Sequence, residues 1–526
     1  MNLGRYVRRT RRHQPEAEAV ICADTRLSYA GLDEDSDRLA TALRALGLRK
    51  GDCVATLAAN CAELVVVEIA LYKAGLVRAP INARLGVTEV GHLLRESGAR
   101  VLLVDAGHQQ TARQALPGTP VRTVISLAGP DDPVDDPGDD LGPGYRALLA
   151  DTEPEPVDVE CAESDIAVLH FTSGSTGKLK AAVQTYGNRL AVLRKMVMGE
   201  GTRIGPGCRQ VLAGPVTHAS GMPLLGILFA GGCAVIMPRW DARDFLATVE
   251  RERATHAFVV PTMINTVLAL PDSRAFDLSS LQQLIYGAAP MSPSRIREAW
   301  ELFGPVLSQG FGCGETTSGV LFLTTEDHRR AIQGEDEELL LSCGRALAEA
   351  EVAIVGEDGH PVPDGGIGEI AVRGPDIVDG YFNEPELTAE SFRDGWFHTG
   401  DLARRRADGY VFIVDRKKDM IVSGGFNIYA VEVEAALHRH PAVYEAAVVG
   451  VPDPEWGEAV KAVVVLREGH ALDEDELVEF CALHLARMKK PRSVDFVPAL
   501  PHNPNGKLDR RAVRDRYWAG ATRRVN

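Results

Sequence analysis

Disulfide and metal-binding cysteine patterns are absent from this chain. Its nine cysteines form no CxxC pair and show no metal-ligand spacing, which is typical of free thiols in a reducing compartment. Long apolar runs are also missing: the longest, LLGILFAGGCAVIM from Leu224, falls short of the ~18 residues that a membrane span needs. No apolar segment follows the arginine-rich start MNLGRYVRRTRRHQ, so we expect no secretory signal and a cytoplasmic location.

Positive charge is in short supply as well. The chain has 57 Lys and Arg against 73 Asp and Glu, a formal net charge of −16. Because nucleic acids and anionic lipids are bound by net basic surfaces, neither is expected as a partner. With 526 residues the chain exceeds the ~250–300 residues at which a single core stops growing, so we expect at least two domains.

The order of predicted elements indicates an α/β fold. Over residues 16–104, strand-like runs such as CVATLAA alternate with helical patterns such as YAGLDEDSDRLATALRALGL, which predicts α/β layers with a parallel sheet. Short strands and turns follow Ser342, as in a small β subdomain, and the Pro-, Asp- and Gly-rich segment 129–144 is predicted to be a surface loop. We therefore predict a large N-terminal domain of layered α/β subdomains plus a small β subdomain over residues 1–415, a hinge at 416–419, and a small mobile α+β C-terminal domain over 420–526.

The strongest local motif is FTSGSTGKLKAAV at residues 171–183, directly after an apolar strand. Closely spaced glycines and hydroxyl side chains let successive backbone N–H groups form a nest for phosphate oxygens, which suits a nucleotide triphosphate. A Walker loop is excluded, because Lys178 is followed by Leu179 instead of Ser or Thr. A flexible Gly/Ser linker is the alternative interpretation. The candidate phosphate-binding residues are Thr172, Ser173, Gly174, Ser175, Thr176, Gly177 and Lys180.

Several further segments, in the same order, carry a family resemblance over residues 27–510. They are YGAAP at 286–290, QGFGCGETT at 309–317, WFHTGDLARRRADGYVFIVDRKKDMIVSGGFNIY at 396–429 and PHNPNGKLDRR at 501–511. With the glycine-rich loop, they make the chain resemble the adenylate-forming superfamily that contains acyl-CoA synthetases, peptide synthetase adenylation domains and firefly luciferase. Each short string alone could be an ordinary turn, and the charged block could be a solvated hairpin.

The resemblance implies roles for individual residues. Gly287, Ala288, Ala289, Pro290, Gly310, Phe311 and Gly312 would lie against adenine, with Phe311 stacked on the base. Asp401 would accept hydrogen bonds from the ribose hydroxyls, Arg416 and Ile413 would lie beside the nucleotide, and Glu315 with Thr176 would hold Mg²⁺, a cation that prefers oxygen ligands.

The resemblance further implies two half-reactions carried out by a rotating C-terminal domain. Lys507 would stabilise charge at the α-phosphate as pyrophosphate leaves, and Lys418 would be the pivot. Gly424 and Gly425 would then admit the pantetheine arm of coenzyme A. His218, in GPVTHASGMP, would separate the acyl pocket from the thiol channel, although a lone histidine is more often a core residue. Candidate pocket-lining residues are His218, Tyr286, Gly287 and Gly312.

The predicted activity is thus an AMP-forming acid–thiol ligase that uses ATP, Mg²⁺ and coenzyme A, acts on a fatty or aryl acid, and has a homodimer as its default assembly. Four positions depart from the commoner family pattern: Gly314 replaces threonine, Leu179 proline, Tyr186 histidine and Ala430 proline. Gly314 keeps open CoA-independent alternatives, namely a carrier-protein loading ligase or an ATP-dependent diazotase that joins nitrite to an aryl amine. A scaffold without catalysis is disfavoured by the full set Glu315, Asp401, Arg416 and Lys507.

Overall fold

A computed structural model describes residues 1–127, 142–173, 179–199, 204–424, 426–502 and 508–518. Most of the predicted surface loop at 129–144 lies outside the described residues. Within these ranges, no helix combines the length and apolarity that would allow it to cross a membrane.

The α-helices are, in chain order, α1 Arg5–His13, α2 Tyr29–Ala45, α3 Glu63–Ala74, α4 Val87–Ser97, α5 Gln109–Ala115, α6 Tyr145–Ala150, α7 Tyr186–Gly199, α8 Leu224–Phe229, α9 Ala242–Glu252, α10 Pro261–Leu268, α11 Pro293–Phe303, α12 Thr325–Ile332, α13 Pro385–Ser391, α14 Ala430–Leu437, α15 Glu474–His484 and α16 Arg510–Asp515. Short 3₁₀ turns lie at Ala106–His108, Ala219–Gly221, Ser273–Ala275 and Glu337–Leu341.

The strands are β1 Glu18–Cys22, β2 Thr25–Ser28, β3 Cys53–Leu57, β4 Val77–Ile81, β5 Val101–Val104, β6 Thr123–Ser126, β7 Ile166–Ser173, β8 Leu179–Thr185, β9 Arg209–Leu212, β10 Cys233–Ile236, β11 His256–Val259, β12 Gln283–Gly287, β13 Leu307–Gly312, β14 Gly319–Leu323, β15 Arg345–Ala346, β16 Glu351–Val355, β17 Ile367–Arg373, β18 Phe392–Arg393, β19 Trp396–Arg405, β20 Val411–Arg416, β21 Ile421–Ser423, β22 Phe426–Ile428, β23 Val443–Asp453, β24 Gly457–Leu466 and β25 Ser493–Phe496.

Two mostly parallel sheets form the body of the N-terminal domain. One has the order β6-β5-β3-β4-β7-β8 and the other β15-β14-β13-β12-β11-β9-β10-β1-β2. Their central strands are short apolar runs, and α3 (ELVVVEIALYKA) is buried along almost its whole length, as expected of a helix that is apolar on all sides. The predicted α/β layering is confirmed.

A small antiparallel sheet, β16-β17-β19-β18 with β20 paired to β19, forms the predicted β subdomain. The C-terminal domain has its own sheet, β22-β21-β24-β23 with β25 beside β24, and α14 and α15 pack on its apolar core. The predicted fold class, a large layered domain followed by a small α+β domain, is therefore confirmed.

The chain passes between these two sheets over a few residues. Strand β20 ends at Arg416, residues 417–419 form a turn, and β21 begins in the C-terminal sheet. Just before the turn, the buried carboxylate of Asp415 accepts hydrogen bonds from the backbone N–H groups of Arg416 and Ala430, so it ties β20 to the start of α14. Burial raises the pKa of Asp415 to about 7. The division at 415–420 stays a prediction.

Candidate active site

The glycine-rich motif lies between two antiparallel strands. β7 and β8 pair in register so that Thr172 faces Lys180 across the hairpin. This strand–loop–strand arrangement differs from a Walker loop, which leads into a helix. Gly174, Ser175, Thr176 and Gly177 lie outside the described residues, as does the side chain of Ser173.

Glu315 joins this hairpin to the segment 309–317. Its Oε1 accepts hydrogen bonds from Thr172 Oγ1 at 3.1 Å and from the Tyr381 hydroxyl at 2.9 Å, and lies 3.2 Å from Lys180 Nζ. Burial raises the pKa of Glu315, but the charge of Lys180 and the Tyr381 hydrogen bond outweigh it, so the pKa lies below its ordinary value. Glu315 is therefore a buried, ionised carboxylate beside the glycine-rich loop.

The YGAAP and QGFGCGETT segments lie side by side because β12 and β13 are parallel neighbours. Gly287 has to be glycine, since a Cβ there would lie 2.3 Å from the carbonyl oxygen of Gly310. Ala288 follows with φ of +66°, a strained conformation for a residue with a side chain. Gly310, Phe311 and Gly312 end β13. Both segments thus lie at the carboxyl ends of parallel strands, where open α/β sheets bind ligands.

The expectation that Tyr286 lines the pocket is wrong. Its ring is fully buried in the core, and its hydroxyl donates a hydrogen bond to His328 Nε2 at 2.9 Å. Side chains alternate along a strand, and on β12 this residue faces the helical layer.

Asp401 and Arg416 face each other on the neighbouring strands β19 and β20. Arg416 Nε lies 3.0 Å from Asp401 Oδ1, and this carboxylate, with a smaller contribution from Cys313, raises the pKa of Arg416. Phe311 and Ile413 pack against the same apolar cluster, so the β19–β20 hairpin lies beside the segment 309–317. Ile413 is half-buried on β20.

Lys418 lies in the turn between the domains, on the surface. Partial desolvation of the ammonium by the turn, and then the charge of Arg416, lower the pKa of Lys418. The turn at Gly424 has φ of +57°, and a Cβ there would lie 2.4 Å from the Trp456 ring. Gly425 and Lys507 lie outside the described residues.

His218 lies on the loop 214–218, which Asn60 fixes by accepting a hydrogen bond from Val216 N and donating to Gly214 O. Its Nδ1 lies 2.9 Å from Thr217 Oγ1, and its ring meets the His170 ring edge to face, with centroids 5.7 Å apart. His170 is on β7, two residues before Thr172, so the His218 loop adjoins the glycine-rich hairpin.

Comparison with known proteins identifies the family. Residues 7–382 match the family described as AMP-binding enzyme, and residues 432–507 match the AMP-binding enzyme C-terminal domain. The chain belongs to the AMP-binding enzyme family. The predicted enzyme class, an AMP-forming ligase similar to acyl-CoA synthetases, is thereby confirmed.

Relatives of this AMP-binding enzyme match it from end to end. The feruloyl-CoA synthase of an Amycolatopsis species is 40% identical over 98% of this chain and 99% of that protein. The medium/long-chain-fatty-acid–CoA ligase FadD8 of Mycobacterium tuberculosis is 35% identical over 98% and 90%. The solved structure of the amide bond synthetase McbA from Marinactinospora thermotolerans has a TM-score of 0.88 and 33% identity, over 98% and 99% of the two chains.

The donor set of this AMP-binding enzyme fits Mg²⁺. The described residues contain no group of three or more His, Cys, Asp or Glu that could hold a metal by themselves. Mg²⁺ does not need one, because it is commonly held by one or two carboxylates together with substrate phosphates and water. The ionised Glu315, oriented by Thr172 and Tyr381, supplies such a carboxylate.

Three residues of the site could not be identified from the sequence: Tyr381, His170 and Gln184, whose Nε2 donates to the carbonyl oxygen of Gly314 at 3.0 Å. Tyr381 follows a glycine in a turn-rich stretch, GYFNEP, and nothing local links it to a carboxylate 66 residues earlier. The signal at His170 and Gln184 is only that each polar residue follows a short apolar run, IAVL before His170 and AAV before Gln184, and this alone does not indicate a site.

Proposed function

We propose that this enzyme uses ATP to activate an aromatic carboxylic acid as its acyl-adenylate, releasing pyrophosphate, and then transfers the acyl group to coenzyme A. The observation that carries the proposal is the convergence of Thr172, Lys180 and Glu315 beside the glycine-rich loop. The 40% identity to feruloyl-CoA synthase supports an aromatic acid, and the 35% identity to FadD8 keeps a fatty acid as the second class.

The first half-reaction brings together two anions, the acid and ATP, on a protein of net charge −16, so positive charge must be supplied locally. Lys180 is held in place by Glu315 and by the ring of Tyr381, and preorganised charge needs no reorganisation during the reaction. Lys507 supplies a second cation at the α-phosphate. Glu315 and Thr176 would hold Mg²⁺, which would supply positive charge to the outer phosphates.

The nucleoside lies across the ends of β12, β13 and the β19–β20 hairpin in this proposal. The backbone of residues 287–290 contacts adenine, and Phe311 stacks on the base. Asp401 accepts hydrogen bonds from the ribose hydroxyls, and Arg416 contacts the phosphate side of the nucleotide. The buried position of Asp401 beside Arg416 supports this role, because a carboxylate with two acceptor oxygens matches a vicinal diol.

In the second half-reaction, the thiol of coenzyme A attacks the carbonyl carbon of the adenylate and AMP leaves. Rotation of the C-terminal domain about Lys418 moves Lys507 out of the active site and brings in the turn at Gly424 and Gly425. This turn then admits the pantetheine arm. The short connection between the sheets and the exposed position of Lys418 support a pivot there.

An amine is the alternative acceptor. The 33% identity and TM-score of 0.88 to an amide bond synthetase favour this second candidate, in which the same adenylate yields an amide. Adenylation is common to both, so the acceptor has to be tested separately.

The experiment is a panel of hydroxycinnamic, benzoic and fatty acids, assayed for pyrophosphate release without acceptor, with coenzyme A and with an aryl amine. Hydroxylamine trapping reports the adenylate directly. The proposal predicts acid-dependent pyrophosphate, strongest with aromatic acids, and a thioester only when coenzyme A is present. Amide without thioester supports the second candidate, and no acid-dependent pyrophosphate contradicts both.

A further inference from the structure

Gly314 has no room for a side chain. A Cβ there would lie 2.4 Å from Thr172 Cγ2 and 2.6 Å from His170 Cδ2, closer than packed atoms approach each other. Gln184 fixes the backbone at this point through its hydrogen bond to the Gly314 carbonyl oxygen. The methyl group of Thr172 and the imidazole of His170 together therefore take the space that any other residue at position 314 would need.

His170 lies between the two halves of the site. As alternate residues of β7, His170 and Thr172 point to the same face of the strand. On one side Thr172 bonds to Glu315, the carboxylate beside the phosphate loop. On the other side the His170 ring meets His218, the residue predicted for the acyl pocket. The His170 ring thus lies between the carboxylate predicted to hold Mg²⁺ and the histidine predicted for the acyl pocket.

The imidazole is an uncharged hydrogen-bond donor. Burial lowers the pKa of His170 to about 4, and the charges of Arg189 and Arg78 act in the same direction, while Glu315 opposes them. A neutral imidazole carries one N–H donor and one acceptor nitrogen. Among the described residues neither nitrogen has a hydrogen-bond partner, and the side chain is half-buried.

We propose that His170 is a further substrate-contacting residue, whose imidazole N–H donates a hydrogen bond to a carboxyl oxygen of the acid, and that Gly314 is required because it makes room for the ring. The inference rests on the proposed function, since it needs a carboxylate at this point. An uncharged donor suits this role, because it orients the attacking carboxylate while leaving its other oxygen more nucleophilic than an ion pair would.

The test compares His170→Phe, which keeps a ring and loses the N–H, with His170→Gln, which keeps a donor near the position of Nε2. Steady-state pyrophosphate release gives KM for the acid and for ATP. Loss of one hydrogen bond to a carboxylate predicts a rise of about tenfold or more in KM for the acid in His170→Phe, little change in KM for ATP, and recovery in His170→Gln.

His256→Phe is the matched control. His256 is also buried and uncharged, with its pKa lowered to about 4, but it begins β11, at the opposite end of the sheet from Gly287. We expect this variant to lower the melting temperature without raising KM for the acid. An unchanged KM for the acid in His170→Phe, or an equal rise in His256→Phe, would overturn the inference and leave the proposed function intact.

A double-variant cycle tests the role of Gly314. Gly314→Ala forces both the His170 ring and the Thr172 methyl group away, so part of its effect on KM for the acid should disappear in the His170→Ala background, where the ring is gone. Equal effects in both backgrounds would overturn the packing argument. A wild-type enzyme that releases no pyrophosphate with any acid would overturn the proposed function, and this inference with it.

Discussion

The ammonium of Lys180 lies 3.8 Å from the centroid of the Tyr381 ring, and both side chains contact the same carboxylate, that of Glu315. A cation held over an aromatic face and against an anion has few other positions available. This arrangement keeps Glu315 ionised within the protein and holds a positive charge beside Thr172 on the β7–β8 hairpin.

Tyr381→Phe tests this arrangement, because it keeps the ring beside Lys180 and removes the hydroxyl, which donates to Glu315 and accepts from Lys180. Hydrogen bonds to charged groups contribute about 1.5–3 kcal/mol, so we expect kcat/KM for ATP in pyrophosphate release to fall at least about tenfold. The control is Tyr410→Phe, which removes the Tyr410 hydroxyl that donates a hydrogen bond to Asp327. Tyr410 lies at the end of the β19–β20 hairpin opposite Asp401 and Arg416. It should lower stability and leave kcat/KM unchanged, and equal kinetic losses in the two variants would contradict the assignment.

Gly424→Ala should impair acyl transfer more than adenylation. The added methyl group would lie 2.4 Å from the Trp456 ring. The alanine would also have to adopt the φ of +57° that Gly424 has. Gly469→Ala in the same domain has φ of +78° but meets no atom within 4 Å, so it carries the backbone strain without the contact. Thioester formation compared with hydroxylamine trapping separates the half-reactions; a loss confined to trapping would count against the predicted role of this turn.

Lys507→Ala should abolish acid-dependent pyrophosphate release while nucleotide binding, measured by calorimetry, stays largely intact. The reason is that a cation at the α-phosphate acts mainly on charge that develops in the transition state. Lys489→Ala, which breaks a surface ion pair with Glu432, is the control in the same domain. Near-normal turnover of Lys507→Ala would show that the role belongs to another residue.

Buried histidines should make the protein sensitive to acid. Burial lowers the pKa of His328 to about 4, and its neutral form is fixed because Nδ1 donates to the Thr324 carbonyl oxygen while Nε2 accepts from the Tyr286 hydroxyl. The unfolded chain binds this proton near pH 6.5 and the folded chain only near pH 4, so stability is lost as the pH falls through this window.

His328→Leu should therefore be less stable than the wild type at pH 7.5 but show a shallower loss of melting temperature between about pH 6.5 and pH 4. The exposed His360, replaced by Gln, is the control and should leave the slope unchanged. Identical slopes for the wild type and His328→Leu would contradict the lowered pKa of His328.

Sequence patterns predicted the fold because they are local. Apolar runs such as those of β3 and β5 can only be buried between layers, and their alternation with helical patterns leaves few arrangements other than a parallel α/β sheet. The site segments were identified through the family resemblance, and the structure gives a reason for their glycines: at Gly287 and Gly312 the backbone of a neighbouring segment approaches too closely for a side chain.

Contacts between distant segments could not be predicted in this way. Tyr381 reaches Glu315 only because the chain after β17 returns to the β7–β8 hairpin, where Phe382 N donates to Ala181 O. Tyr286 was expected in the pocket but lies in the core. Alternation along β12 shows which residues share a face of the sheet, but not which of the two faces packs against the helices. His170 was overlooked since a polar residue in a buried strand is identified as functional only once its neighbours are known.

The most direct test of the proposed ligase reaction is a product analysis of ATP turnover with a hydroxycinnamic acid, with and without coenzyme A. We expect AMP and pyrophosphate in equal amounts, formed only when the acid is present, and an acyl-CoA thioester only when coenzyme A is added. ADP and phosphate as products, or AMP formed at the same rate without any acid, would contradict acyl-adenylate formation by this enzyme.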